Sequence, residues 1–375
     1  MKQISLLILF AVFFYSCGNE KNTSSSSERK GNDFARGFQI SKVGEATKLT
    51  VYNPWEKARN VKVEYFLINK NSEIPDSLQS KNMIQTPVER IICMSTSHLG
   101  FIGVLDENQS VVGVSGADYV SSPEIQERIA AGKVIDVGYG QNLNYEMIIN
   151  QHPDLVMLYG VGSEVTSLVK KLEELGIPAI MNAEYLEETP LGKAEWIKFV
   201  GTLYEKESEA KQFFNQIKKD YLSLKAKVKE KENKPKVLVG APYKDSWWIP
   251  GGNSYMANLI KDAGGDYIGK DNSSHESYVI SFENALAYGN EADVWINMGL
   301  LSSKKEIVAA DQRFESFKVL KEGRVFNNNN KMGKKGGNDF WESGTVYPNL
   351  ILRDLISVFY PGTIEDEMIY YREVK

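Results

Sequence analysis

Two distant stretches of the chain spell the same local programme. Asn144-Tyr145-Glu146-Met147-Ile148-Ile149 is followed by Pro153-Asp154-Leu155-Val156-Met157, and Ser281-Phe282-Glu283-Asn284-Ala285-Leu286 by Ala292-Asp293-Val294-Trp295-Ile296. Each reads as a cap residue, an aromatic, a glutamate, a short helix, a turn, an aspartate and a buried strand. Between them, residues 191–232 read as helix. A strand–helix unit that recurs on both sides of a long helical stretch implies two similar lobes joined by that stretch.

The rest of the chain fits this plan. From Val88 onward, apolar runs alternate with amphipathic stretches. Strands are expected over 90–94, 110–114, 133–137, 155–158 and 178–181, with helices over 95–105, 145–150 and 165–175. After the helical stretch the rhythm resumes, with strands at 236–239, 293–297 and 325–326 and helices at 255–263, 282–288 and 346–359. Strands alternating with helices make βαβ units and parallel sheets covered on both faces. The expected fold is therefore α/β: two Rossmann-like lobes with parallel sheets, joined by one long spine helix. Residues 88–189 form the N-terminal lobe, 190–234 the spine helix and a following amphipathic helix, and 235–375 the C-terminal lobe. In the second helix, Phe213, Phe214, Ile217, Tyr221 and Leu224 share one face, and its lysines suit a solvated one. Residues 34–87 alternate in β fashion around Asn53-Pro54-Trp55 and read as a small β extension.

The N-terminus follows a different logic. A lysine, an apolar run from Ile4 to Tyr15, then Ser16-Cys17, make residues 1–16 a secretory signal. Cys17 sits as a bacterial lipobox cysteine does, diacylated after cleavage, although Phe14-Tyr15 departs from the usual residues there; an ordinary signal peptide cut nearby is the alternative. Residues 17–33, with a run of four serines, are too polar to order themselves and read as a flexible tether. The expected location is the periplasmic side of the cell membrane, anchored at Cys17. With Cys17 acylated, Cys93 is the one thiol left, and its apolar strand context suits a core residue. A net charge of −5 argues against a nucleic-acid partner.

The ordered motifs are similar to those of the periplasmic-binding family for ferric siderophores, haem and cobalamin, in lipoprotein form. In the first lobe they are Arg90-Ile-Ile-Cys-Met-Ser-Thr-Ser-His98, Ser110-Val-Val-Gly-Val-Ser115, Val137-Gly-Tyr-Gly140, Pro153-Asp-Leu-Val156 and Leu175-Gly-Ile-Pro178. In the second they are Ala263-Gly-Gly265, Ser281-Phe-Glu283 and Gly323-Arg-Val-Phe326. The resemblance spans roughly Val88 to Pro361 and does not reach Gly37 to Gln85. It implies a substrate-binding component of an ABC importer. Such a component captures an iron chelate (siderophore or haem) or a corrinoid between its lobes, needs no cofactor of its own, and is not an enzyme. Leu191 to Val200 would be the spine. Glu146 and Glu283 would dock the two lobe tips on the permease dimer, though each also suits a helix N-terminus. Strand-following loops put Ser97, His98, Asp118, Tyr119, Tyr139, Tyr159, Trp247, Trp248 and Trp341 forward as cleft residues, with ordinary packing as the alternative for each. No direct metal ligand is expected otherwise, but in haem-binding members a tyrosine in the context of Tyr139 ligates iron through its phenolate.

Other readings are weaker. His98, His152 and His275 do not make a bare-metal cluster by spacing. The sequence carries no P-loop, no Gly-x-Ser-x-Gly elbow and no dinucleotide fingerprint. A surface lipoprotein that scavenges or senses such a ligand without a dedicated permease is the main alternative, and a chelate-processing protein the third.

Overall fold

The computed structural model describes residues 31–78, 82–243 and 246–375. The signal segment, Cys17 and the tether up to residue 30 lie outside the described residues.

The chain enters through a four-stranded sheet: β1 (Phe38–Val43), β2 (Ala46–Tyr52), β3 (Lys62–Asn69) and β4 (Met83–Thr86), in that order. The first three strands pair antiparallel and β4 runs parallel to β3. Leu49, Val51, Tyr65, Leu67 and Ile84 point inward and join one apolar core with residues of the first lobe. The extension therefore shares a core with the lobe that follows it.

The first lobe consists of β5 (Ile91–Cys93), α1 (Thr96–Val104), β6 (Val111–Val114), α2 (Pro123–Ala130), β7 (Ile135–Asp136), α3 (Tyr145–Asn150), β8 (Leu155–Leu158), α4 (Val165–Glu174) and β9 (Ala179–Met181). Its strands are all parallel, ordered β7-β6-β5-β8-β9. α2 was not expected from the sequence: with Ser122 as cap and Pro123 in its first turn, it packs only Ile125 fully inward, so the apolar period is faint.

The lobes are connected by α5 (Pro190–Glu195) and α6 (Ile197–Leu203), which abut at Trp196. Every residue of α5 is buried. The chain breaks at Tyr204–Lys206, just past Gly201-Thr202, and continues as α7 (Glu207–Val228), 22 residues long. Phe38 of β1 packs on this crossover, 4.8 Å from Trp196 and 5.6 Å from Phe199 between ring centroids.

The second lobe holds β10 (Lys236–Val239), β11 (Pro242–Tyr243), β12 (Ser246–Ile249), α8 (Tyr255–Asp262), β13 (Asp266–Tyr267), β14 (Tyr278–Ile280), α9 (Phe282–Glu291), β15 (Val294–Ile296), α10 (Lys304–Ala310), α11 (Lys318–Lys321), β16 (Arg324–Asn327), α12 (Pro348–Phe359) and β17 (Arg372–Glu373). The main sheet runs β13-β10-β15-β16-β17 and is parallel except for β17. β11, β12 and β14 make a separate antiparallel sheet, which the sequence did not reveal. Trp247 and Trp248, expected in a loop, lie instead in β12, on opposite faces.

A short arm precedes β1 and fastens to the crossover. The backbone N–H groups of Asp33, Phe34 and Ala35 donate to the Glu195 carboxylate at 2.7–2.9 Å. Those of Arg36 and Gly37 donate to Glu187 at 2.7–3.1 Å. Both carboxylates are buried, and Trp196 Nε1 adds a third donor to Glu187 at 3.0 Å. Phe34 packs against the apolar cores of both lobes.

Candidate functional site

In a parallel α/β sheet the carboxyl ends of the strands and the N-termini of the following helices share one edge, where crevices form. Here the two lobes bring those edges together around a cavity of about 330 Å³. Thr96, the first residue of α1, and Tyr119, after β6, line it from the first lobe. Asn297, Gly299 and Leu300 line it after β15, and Asn328, Met332, Gly336, Gly337, Asn338 and Trp341 after β16. Tyr119 and Trp341, from opposite lobes, are about half exposed, so both offer an open ring face.

Of the residues expected at the cleft, Tyr119 and Trp341 line this cavity. Asp118 stands beside it, with its carboxylate 2.6 Å from Lys335 Nζ of the other lobe. Tyr139 and Tyr159 follow β7 and β8 on the same edge and are exposed, but they are not among the lining residues. Trp248 is exposed on the outer face of β12, directly opposite Val279 of β14. Ser97 is buried in the first turn of α1, its hydroxyl 2.8 Å from that of the cap Ser95.

Two placements differ from expectation. His98 is fully buried in α1, because residue 98 falls on the helix face turned into the lobe; burial pushes its imidazole down to about 3 and keeps it neutral. Trp247 is core, stacked 5.8 Å from Trp295 and 6.1 Å from Phe317. Strand alternation turned Trp247 inward and Trp248 outward, which a loop assignment had hidden.

The sequence reading missed most of the second-lobe lining. The run Asn327 to Asn330 and the cluster Gly336-Gly337-Asn338 were visible turn signals after a strand, and these supply it. Several of these amides build the loop as well: Asn327 Nδ2 donates to the carbonyls of Gly299 and Leu301 at 2.9 and 2.7 Å, and Asn338 Nδ2 to that of Asn328 at 3.0 Å.

Two side chains of opposite charge are buried near one another. Glu184 after β9 is buried, and desolvation raises its pKa above the ordinary carboxylate value. Lys193 of α5 is also buried, which lowers its pKa, and its ammonium sits 5.1 Å from the ring centroid of Tyr255 in the second lobe.

Glu146 and Glu283 occupy the second positions of α3 and α9 and are exposed. Asn144 caps Met147 N at 3.0 Å, and Ser281 caps Asn284 N at 3.2 Å. Both helices lead directly into strands of the main sheets, so their N-termini lie at the same edge as the cavity. Among the described residues no group of three or more His, Cys, Asp or Glu side chains is placed to hold a metal ion.

Two open α/β lobes facing each other across a cleft define the class of bilobal solute-binding proteins. The chain belongs to the periplasmic binding protein family, which it matches over residues 91–331. It is 31% identical to an uncharacterized lipoprotein of Methanocaldococcus jannaschii, over 82% of this chain and 75% of that one. A second uncharacterized lipoprotein of the same organism is 25% identical, over 99% and 98%. Among solved structures, the fold is similar to a periplasmic heme-binding protein from Roseiflexus sp. RS-1, with a TM-score of 0.57, 20% identity and coverage of 74% of this chain and 99% of that one. It is also similar to an ABC-type Fe3+-hydroxamate transport protein from Saccharomonospora viridis, with a TM-score of 0.54, 19% identity and coverage of 73% and 94%.

Proposed function

We propose that this protein captures an iron chelate, a siderophore or haem, or a corrinoid between its lobes and delivers it to an ABC permease dimer, held at the membrane through Cys17. The observation that carries this reading is the cavity at the facing strand ends, with Tyr119 and Trp341 open on opposite walls. Aromatic faces suit the flat or apolar body of such a ligand, and the amides of Asn297, Asn328 and Asn338 suit its polar periphery. The cavity volume of about 330 Å³ is at the small end for ligand sites, which span about 300–1,000 Å³, so a large chelate enters by parting the lobes.

Glu146 and Glu283 meet the permease, one from each lobe. Tyr139 is the phenolate that would ligate haem iron if the chelate is haem; haemin added to purified protein without a Soret shift removes that option. Native mass spectrometry of protein from iron- and cobalamin-replete cells tests the whole reading. A co-purifying mass of an iron chelate, haem or corrinoid supports it, and a mass from another chemical class overturns it.

A further inference from the structure

We infer that Glu342 sets the aperture of the cleft: it is a positioning residue that fixes the Tyr119 wall against the Trp341 wall. This rests on the reading of the cavity as the ligand site. Glu342 follows Trp341 in the second-lobe loop that supplies Met332, Gly336, Gly337 and Asn338 to the cavity. Its two carboxylate oxygens reach across to the first lobe and accept from Ser121 N and Ser122 N, each at 2.7 Å. Those amides follow Tyr119 and open α2.

Other contacts join the same two segments. Lys335 pairs with Asp118. Gly337 lies so close to the Tyr119 backbone that a Cβ there would collide with the Tyr119 carbonyl. On the other side, Gly100 of α1 admits the Glu342 carbonyl in the same way. The wall bearing Tyr119 and the wall bearing Trp341 are thus tied at adjacent residues; Glu342 and Gly337 are buried, Val346 just beyond them joins the first-lobe core, and the Lys335–Asp118 pair is exposed.

The charge is held at a cost. Burial pushes the Glu342 carboxyl up to about 7 despite the two amide donors. Its titratable surroundings are Asp339 on its own loop and Cys93 at the end of β5. The packed α1 contributes the neutral His98, and the facing segment contributes Asp118 with Lys335. When the lobes part, the carboxyl meets water and returns toward its ordinary value of 4.5. The joined state therefore binds the proton more tightly, so acidification from pH 8 to pH 6 shifts the balance toward it by about tenfold.

The test compares wild type, Glu342→Ala and Glu342→Gln by hydrogen exchange of the Ser121 and Ser122 amides and by small-angle scattering, at pH 8 and pH 6. In Glu342→Ala those amides exchange at least tenfold faster and the radius of gyration rises. Glu342→Gln keeps one acceptor of the two, so one of the amides stays protected while the other exchanges faster, and the pH response is lost. Unchanged exchange and radius in Glu342→Ala overturn the inference, as does a wild-type pH response surviving in Glu342→Gln. Haemin, ferrichrome and cyanocobalamin serve as ligand probes, and whichever binds wild type binds Glu342→Ala about tenfold more weakly. If none of the three binds wild type, the ligand reading fails while the exchange and scattering results still judge the role of Glu342.

Discussion

His98 lies in the first turn of α1 with both ring nitrogens buried and without hydrogen-bond partners. A neutral imidazole there displaces no water-bound charge, but a protonated one would. Its pKa is pushed down to about 3 by desolvation, below the 6.5 of an exposed histidine, so the unfolded chain takes up the proton first. The stability that depends on neutral His98 is thus fully present above pH 6.5 and is lost as pH falls below it, at about 1.4 kcal/mol per pH unit down to the folded value. Replacing the ring with an apolar group of similar size removes that slope. Urea denaturation of His98→Leu at pH 6.5 and pH 5 should show a loss smaller than wild type by about 2 kcal/mol; an equal loss would place the acid sensitivity elsewhere. At the neighbouring position the same physics gives another result, because Ser97 finds the hydroxyl of Ser95.

Among the elements, the crossover combines the most burial with the most buried charge. α5 and α6 hold Glu195 fully buried, with Lys198 Nζ at 2.5 Å and the arm amides of residues 33–35 around it. Removing that carboxylate leaves the three amides and the lysine without their acceptor, a loss of about 3–5 kcal/mol. We expect Glu195→Ala to lower stability by that amount in urea, with faster hydrogen exchange confined at first to residues 33–37; a change below about 1 kcal/mol would mean that the arm contributes little. The crossover also shows what the sequence displayed and what it hid. Strands β5, β6, β8, β9, β10 and β15 were legible because parallel strands buried on both faces read as plain apolar runs. The β12–β14 sheet was hidden because Trp247 and Trp248 alternate over only four residues, flanked by turn residues. The cleft aromatics Tyr119 and Trp341 were legible as large residues after strands. Glu342 was not, because its value comes from amides more than 200 positions away in sequence, which no local pattern encodes.

At the scale of the whole molecule, the two lobes repeat one device at opposite tips. Glu146 and Glu283 begin helices with the same cap, aromatic and glutamate order, and both stand exposed at the edge where the cavity opens. The Glu283 carboxyl is held below its ordinary value by its own backbone N–H and the Ser281 hydroxyl, so it stays charged through mildly acid conditions. The arm on Glu187 and Glu195 fastens the start of the described chain to the crossover. In the proposed docking role, these two carboxylates would make a two-point contact, in which the second attachment is intramolecular and its effective concentration multiplies the first. That multiplication makes the double change far more severe than either single one. Glu146→Ala or Glu283→Ala alone should reduce uptake of the bound chelate in whole cells several-fold, and the pair together should abolish it. Ligand affinity measured on the purified protein should stay within about twofold throughout, since neither residue lines the cavity. Uptake that persists in the double variant, with ligand binding intact, would turn the assignment toward a lipoprotein that holds its ligand without a dedicated permease.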